Sequence, residues 1–490
     1  MDRQAYLDQI DRVNREGTYK PDWDSLAEHP IPVWYADQKF GIFIHWGVYT
    51  VPQFDNEWYS RNMYMQGSRA FAHHVQTYGT QDQFGYKDLI PLFTAEKFDA
   101  ARWAKLFRQA GAQYVTPVAE HHDGFQMYQS ALSHWNALEM GPRRDVLGEL
   151  KQAIEAENLM FCTSSHRAEH WFFMGHGRDF DSDVKEPMQL GDFYWPAQPE
   201  GVHYDLYSTP TPTEAFLTDW LLRCCELVDQ YRPKALYFDW WIQHSSIKPY
   251  LKRLAAYYYN RAEEWGTGCV IQYKFDAFPM GCAVPDIERG QLAEAKPYLW
   301  QSDTSTARNS WCYTTENDYK DTREILWDLV DVVSKNGRML LNIGPMANGE
   351  IAPQDEKILT GVGQWLAQNG EAIYRTRPWR LSQEGPTKTV EGHFTDGQSK
   401  HFTSKDIRYT CRGAHIYATV MHWPEDGSVH LTALGAVDQA KSPPFCGIVQ
   451  GVEALGFAGA LSWSRDEAAL HVQAPALTSD LPVVLKINID

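Results

Sequence analysis

From about residue 30 to residue 375 the chain alternates between short apolar runs and stretches with helical spacing. FGIFIHWG (40–47) is apolar and of strand length. Trp103, Leu106, Phe107 and Ala110 then recur at i, i+3, i+4 and i+7, one face of a helix. QYVTPVA (113–119) is the next strand, followed by a helix over 145–158 and the strand LMFCTSS. Phe216, Trp220, Cys224, Leu227 and Tyr231 mark a helix that leads into the strand ALYF of PKALYFDWW (233–241). Next come a helix over 247–265, the strand CVIQYKF, and a segment holding Pro279, Pro285 and Pro297 that reads as a loop. YLWQSDTS, a helix carrying Ile325, Leu329, Val332 and Val333, the strand RMLLNIGP, and a helix carrying Ile358, Val362, Trp365 and Leu366 complete the series.

About seven strands, most followed by a helix, predict an α/β fold with a parallel sheet covered by helices. At this length a (β/α)8-like barrel is favoured over an open sheet, and no GxGxxG follows a strand. The first 30 residues are expected to wrap the barrel as a helix. Beyond about residue 377 the period changes to two, in HIYATV (415–420) and VVLKINI (483–489), with Gly, Pro and Asp between the runs. The expected organisation is therefore a catalytic barrel with a helical extension over 1–376 and an antiparallel β-sandwich over 377–490.

The net charge of −18 argues against nucleic acid and against anionic membrane surfaces as partners. No run approaches a membrane span or a signal peptide, and the 8 Cys form no CxxC pair, so a reduced, cytoplasmic chain is expected unless an export signal has been removed. The 19 Trp and 26 Tyr suit stacking on sugar rings, although many must be core.

In a barrel the site collects at the C-terminal ends of the strands. Those ends carry His45-Trp46-Gly47; Glu120-His121-His122-Asp123; Ser164, Ser165 and His166; Asp239-Trp240-Trp241; Lys274; and Trp300, Gln301 and Asp303, with Asp286, Glu288 and Arg289 in the loop between the last two. Taken singly, each has a bland reading. His45 could be a core histidine, Asp123-Gly124 a turn, Glu288 a solvated loop carboxylate. His121 and His122 could be a metal pair, but adjacent strand residues face opposite ways, and no HxH occurs. Asp239 is the sharpest case, because a carboxylate costs several kcal/mol to bury uncompensated and here it follows a core strand among aromatics.

At these residues the chain resembles the α-L-fucosidases of glycoside hydrolase family 29, through KFGIFIHWGVYTVP, NEWYSRNMY, EHHDGFQMYQS, LVDQYRPKALYFDWW, QSDTSTARNSWCY and LLNIGPMANGEI, in order over residues 39–351. The resemblance implies an exo-acting retaining α-L-fucosidase that takes terminal α-L-fucose from oligosaccharides or glycoconjugates. Asp239 would be the nucleophile; His45, His121, His122, Glu57 and Trp58 would hold the sugar hydroxyls; Trp311 would pack beside the ring and its methyl group; Lys274 and Arg289 are counted with the substrate-binding residues. Glu288 is the matched acid/base, with Glu294 in reserve and Asp286 third. Some relatives carry a Glu where this chain has Gln301, which cannot transfer a proton. No metal or organic cofactor is implied, and a homo-oligomer is expected. A retaining hydrolase of another sugar, such as a galactoside, and an inactive sugar-binding relative are the alternatives.

Overall fold

A computed structural model describes residues 2–185, 187–202, 204–396, 398, 401–436 and 445–490. Among these, eight parallel strands close into a barrel. They are β1 (Phe40–Ile44), β2 (Tyr114–Glu120), β3 (broken at Cys162 into Met160–Phe161 and Thr163–Ser165), β4 (Ala235–Phe238), β5 (Val270–Tyr273), β6 (Val284–Glu288), β7 (Trp300–Ser305) and β8 (Gly337–Ile343). β1 pairs with both β2 and β8, which closes the ring.

The expectation of seven strands was one short, because β6 lies in the segment read as a loop. Its alternation is genuine: Val284, Asp286 and Glu288 are buried, while Pro285 and Ile287 are half-buried. The inward positions are mostly polar, however, so a hydropathy pattern does not reveal them, and Pro285 demotes the run further.

Helices cover the barrel, among them α2 (Ala100–Gln109) after β1 and α3 (Val146–Ala156) after β2. α1 (Arg3–Glu16) lies outside it, with Tyr6 donating to Asp229 of α4 (Glu214–Tyr231) and Asn14 to the Arg253 carbonyl of α5 (Lys248–Glu264). Two short helices, Trp23–Ala27 and Val33–Asp37, follow α1, so the extension is three pieces rather than one. α4 starts at Thr213, whose side chain caps Phe216 N–H, and stops at Arg232 in the left-handed region (φ 47°). That stop turns the chain directly into β4. α6 (Thr322–Ser334) opens with a capping box between Asp321 and Glu324.

The C-terminal residues form two antiparallel sheets. One orders as β9-β10-β11-β16-β13, from β9 (Arg377–Glu384), β10 (Ile407–Arg412), β11 (His415–Val420), β13 (Val449–Ala454) and β16 (Val483–Ile489); the other orders as β12-β15-β14, from β12 (Ser428–Leu431), β14 (Ser462–Arg465) and β15 (Leu470–Gln473). Tyr409, Ile416 and Leu485 from one sheet and Val429, Leu470 and Val472 from the other share one core, the arrangement of a sandwich. No helix among the described residues is long and apolar enough to cross a membrane.

Candidate active site

Strand register brings the chemistry to one level. Tyr237 of β4 pairs with Gln272 of β5, so Asp239 and Lys274, each two residues on, emerge side by side. Ser165 pairs with Phe238, which sets His166 beside Asp239, and Glu288 pairs with Asp303. Period two then sorts the faces. Tyr237 and Asp239 point into the barrel, whereas Phe238 packs outward with Trp220 of α4.

The resulting pocket, of about 200 Å³, is lined by His45, Glu57, Trp58, His121, His122, His166, Glu169, Asp239, Trp240, Lys274, Glu288, Asp303 and Trp311, with Phe43, Tyr237 and Phe394 completing the wall. Lys274 is its electrostatic hub. Its ammonium lies 3.1 Å from Asp239 Oδ1, 2.7 Å from Glu288 Oε2 and 3.5 Å from Asp303 Oδ2. The first two contacts laid end to end bound the separation of those Asp239 and Glu288 oxygens at 5.8 Å. Burial opposes the charge on Lys274, but the surrounding carboxylates hold its pKa well above the ordinary lysine value.

Lys274 lowers both carboxylates, yet their other neighbours drive the two apart. Burial acts to raise the pKa of Asp239, yet the charge of Lys274 and hydrogen bonds from His122 and His166 hold it well below the usual carboxylate range. His166 Nδ1 sits 2.9 Å from Asp239 Oδ2, and its Nε2 lies 3.0 Å from Ser164 Oγ. A neutral His166 that donates from Nδ1 and accepts from the Ser164 hydroxyl fits both contacts, and burial pushes its pKa down. His122 directs Nδ1 at the His166 carbonyl (2.9 Å) and Nε2 at Asp239 (3.5 Å). Burial disfavours its charge, but Glu169 and Asp239 lift it to about 9. Glu288 goes the other way: burial, with Asp239 and Asp303 nearby, outweighs Lys274 and raises it to about 7. Trp240 Nε1–H donates to Glu288 Oε2 at 2.7 Å.

The remaining polar groups present donors and acceptors to the pocket. His45 donates from Nδ1 to Asn342 Oδ1 at 2.7 Å, leaving Nε2 an acceptor, and burial keeps it neutral. His121 is buried, with Nδ1 lacking a hydrogen-bond partner among the described residues. Glu57 accepts from Trp311 N–H at 2.9 Å, which ties one wall to the other; burial raises its pKa. Phe43, Tyr237 and Trp311 form an apolar side. Two groups, His45–His121–His166 and His122–His166–Asp239, have ligand atoms within 4.8 Å of one another and could hold a cation.

A model of the α-L-fucosidase family matches residues 7–371, and one of the α-L-fucosidase C-terminal domain matches residues 399–488. The chain belongs to the α-L-fucosidase family. Tissue α-L-fucosidase of Rattus norvegicus is 32% identical over 468 residues, covering 91% of this chain and 86% of the relative. The human tissue enzyme is 30% identical over 473 residues, covering 96% and 90%. The crystal structure of Thermotoga maritima α-fucosidase with a mechanism-based inhibitor superposes with a TM-score of 0.75 at 28% identity, over 96% of this chain and 100% of that one. This is a glycoside hydrolase, and its barrel and β-sandwich are those of the family.

Within this fucosidase fold, most of the sequence-predicted residues converge. Asp239, Glu288, His45, Glu57, Trp58, His121, His122, Lys274 and Trp311 all line the pocket. Arg289 does not. It lies behind Trp311, its guanidinium 4.5 Å from the ring centroid, and donates to the carbonyls of Ala307 and Ser310. Trp241, next to Trp240 in sequence, does not line the pocket; it is buried against Trp171 and Phe172. The two reserve acids lie elsewhere. Glu294 is exposed and faces Gln383 of β9, whereas Asp286 sits one layer deeper in the barrel, accepting from Gln301 Nε2 at 2.8 Å. Sequence reasoning missed Glu169 and Phe394. Glu169 is buried, neither oxygen has a hydrogen-bond partner among the described residues, and burial raises it to about 8. Its only signal was its place three residues past a strand-end histidine. Phe394 had none, since it arrives from the C-terminal side of the chain.

Proposed function

We propose that the protein is an exo-acting, retaining α-L-fucosidase that removes terminal α-L-fucose from oligosaccharides or glycoconjugates by double displacement. The observation that carries this reading is a pair of carboxylates on one ammonium whose proton affinities are driven apart. Retaining glycosidases need carboxyl groups about 5–5.5 Å apart, one ionised and one protonated, and the bound on the Asp239–Glu288 separation is compatible with that spacing rather than with the wider inverting one.

In the first step an Asp239 oxygen attacks the anomeric carbon while Glu288 gives its proton to the glycosidic oxygen, and the carbon–oxygen bond to the leaving group breaks. In the second, water attacks the same carbon, gives its proton to Glu288, and Asp239 leaves. Lys274 keeps Asp239 ionised. His45, His121, His122 and Glu57 meet the sugar hydroxyls, and these bonds strengthen as the ring flattens. Phe43, Tyr237 and Trp311 face the C5 methyl, with Arg289 bracing Trp311 from behind. One methyl is worth only about 1–3 kcal/mol, so the polar contacts must share in recognition. The pocket has room on the order of one pyranose, which suits an exo-acting enzyme. Hydrolysis of 4-nitrophenyl α-L-fucoside followed by NMR tests the reading. The first-formed sugar should be α-L-fucose, and β-L-fucose would refute retention.

A further inference from the structure

VHL (429–431) of β12 and LHV (470–472) of β15 each set one histidine between two core residues. Val429, Leu431, Leu470 and Val472 are buried in the sandwich, so alternation turns His430 and His471 to the outer face of the three-stranded sheet. The register pairs the two directly, and their Nδ1 atoms lie 2.7 Å apart. His430 is exposed and His471 half-buried. Asp466, in the turn before β15, holds its Oδ2 3.0 Å from His471 Nε2, while its Oδ1 accepts from Ala468 N–H at 2.9 Å and Ala469 N–H at 3.1 Å. The carboxylate is thereby fixed. Its charge favours the proton on Nε2, which leaves the Nδ1 lone pair of His471 facing His430. The next pair along the same face is tied as well, with Gln473 Nε2 donating to Ser428 Oγ at 2.7 Å.

We propose that His430 and His471 form a two-histidine chelate for a divalent transition-metal cation that takes ligands at right angles, Cu2+ first and Ni2+ next, with water in the remaining positions. Imidazole nitrogen is the commonest side-chain ligand of such ions. Metal–nitrogen bonds of about 2.0–2.1 Å, drawn from nitrogens 2.7 Å apart, meet at about 80–85°. That is near the right angle of a square-planar or tetragonal site; a tetrahedral Zn2+ site needs its nitrogens about 3.3–3.4 Å apart. Asp466 supplies the outer carboxylate that ligating histidines ordinarily have, on the ring nitrogen away from the metal. The metal takes the place of the hydrogen between the two Nδ1 atoms, and the His430 proton moves to its own Nε2. The bound ion joins β12 to β15 and stabilises the folded sandwich. Neither histidine nor Asp466 lines the catalytic pocket, so the site is independent of the fucosidase reading.

The whole protein is titrated with Cu2+, and the bound ion is read by electron paramagnetic resonance. The pocket histidines are a competing site, so the test compares variants. His430→Ala and His471→Ala each remove one ligand from the sheet surface and should leave the metal-free urea midpoint and the hydrolytic kcat/KM unchanged. His430→Gln repeats the test with a longer side chain. The wild-type protein is expected to show a Cu2+ signal split by two nitrogens, which all three variants lose. Asp466→Ala should keep that signal and bind about 10–100-fold more weakly. Ni2+ should bind at this site no more weakly than Zn2+. Excess Cu2+ should raise the urea midpoint of the wild type and not that of the histidine variants. An unchanged Cu2+ affinity and spectrum in the histidine variants would overturn the proposal. So would a two-nitrogen signal lost only in His166→Ala, which would put the ion in the pocket. A protein that binds Cu2+ as expected but hydrolyses no fucoside would refute the catalytic reading alone.

Discussion

Asp239 and Glu288 share one ammonium, yet their environments drive them in opposite directions, and the pH dependence follows from that. Asp239 has a pKa held well below the ordinary value by Lys274, His122 and His166 against burial, so it stays ionised through mildly acidic solution. Glu288, raised mainly by burial to about 7, keeps its proton below that pH and loses it above. The kcat/KM profile should therefore be level in mild acid and fall as pH rises through about 7. Because Lys274 lowers both acids, Lys274→Met should move both limbs to higher pH; a pH–rate series on the variant checks this, and an unmoved alkaline limb would contradict it. At this scale the sequence was most readable where an apolar strand ran straight into a polar residue. Asp239, Lys274 and His45 all announce themselves that way. Glu288 did not, because β6 has no apolar inward run, and only resemblance picked it out. Asp286 and Glu288 are two residues apart and both face inward; which one reaches the pocket depends on depth in the barrel, which sequence spacing does not disclose.

At the scale of elements, β6 and the segment that pairs with its end are the least legible part and the most consequential. An added Cβ at Gly290 would meet the Gly392 carbonyl oxygen at 1.9 Å, so the two backbones approach closely because a glycine allows it. Gly290→Ala should push residues 392–396 away, loosening the bond from Glu288 N–H to His393 and shifting Phe394. Overpacking of this kind costs about 1–3 kcal/mol. The variant is expected to unfold at lower urea and to lose activity, whereas Glu294→Ala, on an exposed side chain, should retain both. Equal behaviour of the two would remove the special role of this contact. Most of the other barrel strands were readable from their apolar runs, the polar and fully buried β7 excepted, and α4 and α6 carry clear helical stripes with capping residues. The helical extension was legible as helix but not as three pieces, since its breaks turn on local contacts of the short segments.

At the scale of the whole molecule, the sandwich is tied to the barrel through charge as well as packing. Asp331 of α6 is buried between Arg408 of β10 and Lys335, accepting from Arg408 Nε and lying 2.8 Å from Lys335 Nζ. Removing the shared acid leaves two buried cations facing each other. Asp331→Ala should cost about 3–5 kcal/mol, read as a lowered urea midpoint; a loss under about 1 kcal/mol would show the cluster to be solvated in practice. The change from helical spacing to period two was visible in the sequence near residue 377. The return of residues 393 and 394 to the catalytic pocket was not, because a contact between segments a hundred residues apart leaves no local pattern.

If Asp239 and Glu288 act on opposite faces of one sugar, azide reports it directly. With Asp239→Gly, azide takes the nucleophile's place and should yield β-L-fucosyl azide. With Glu288→Ala, azide attacks the fucosyl-enzyme instead of water and should yield α-L-fucosyl azide with recovered rate. NMR of the two products gives the answer. Opposite anomers in that order are predicted; the same anomer from both, or no azide adduct from either, would contradict the assignment.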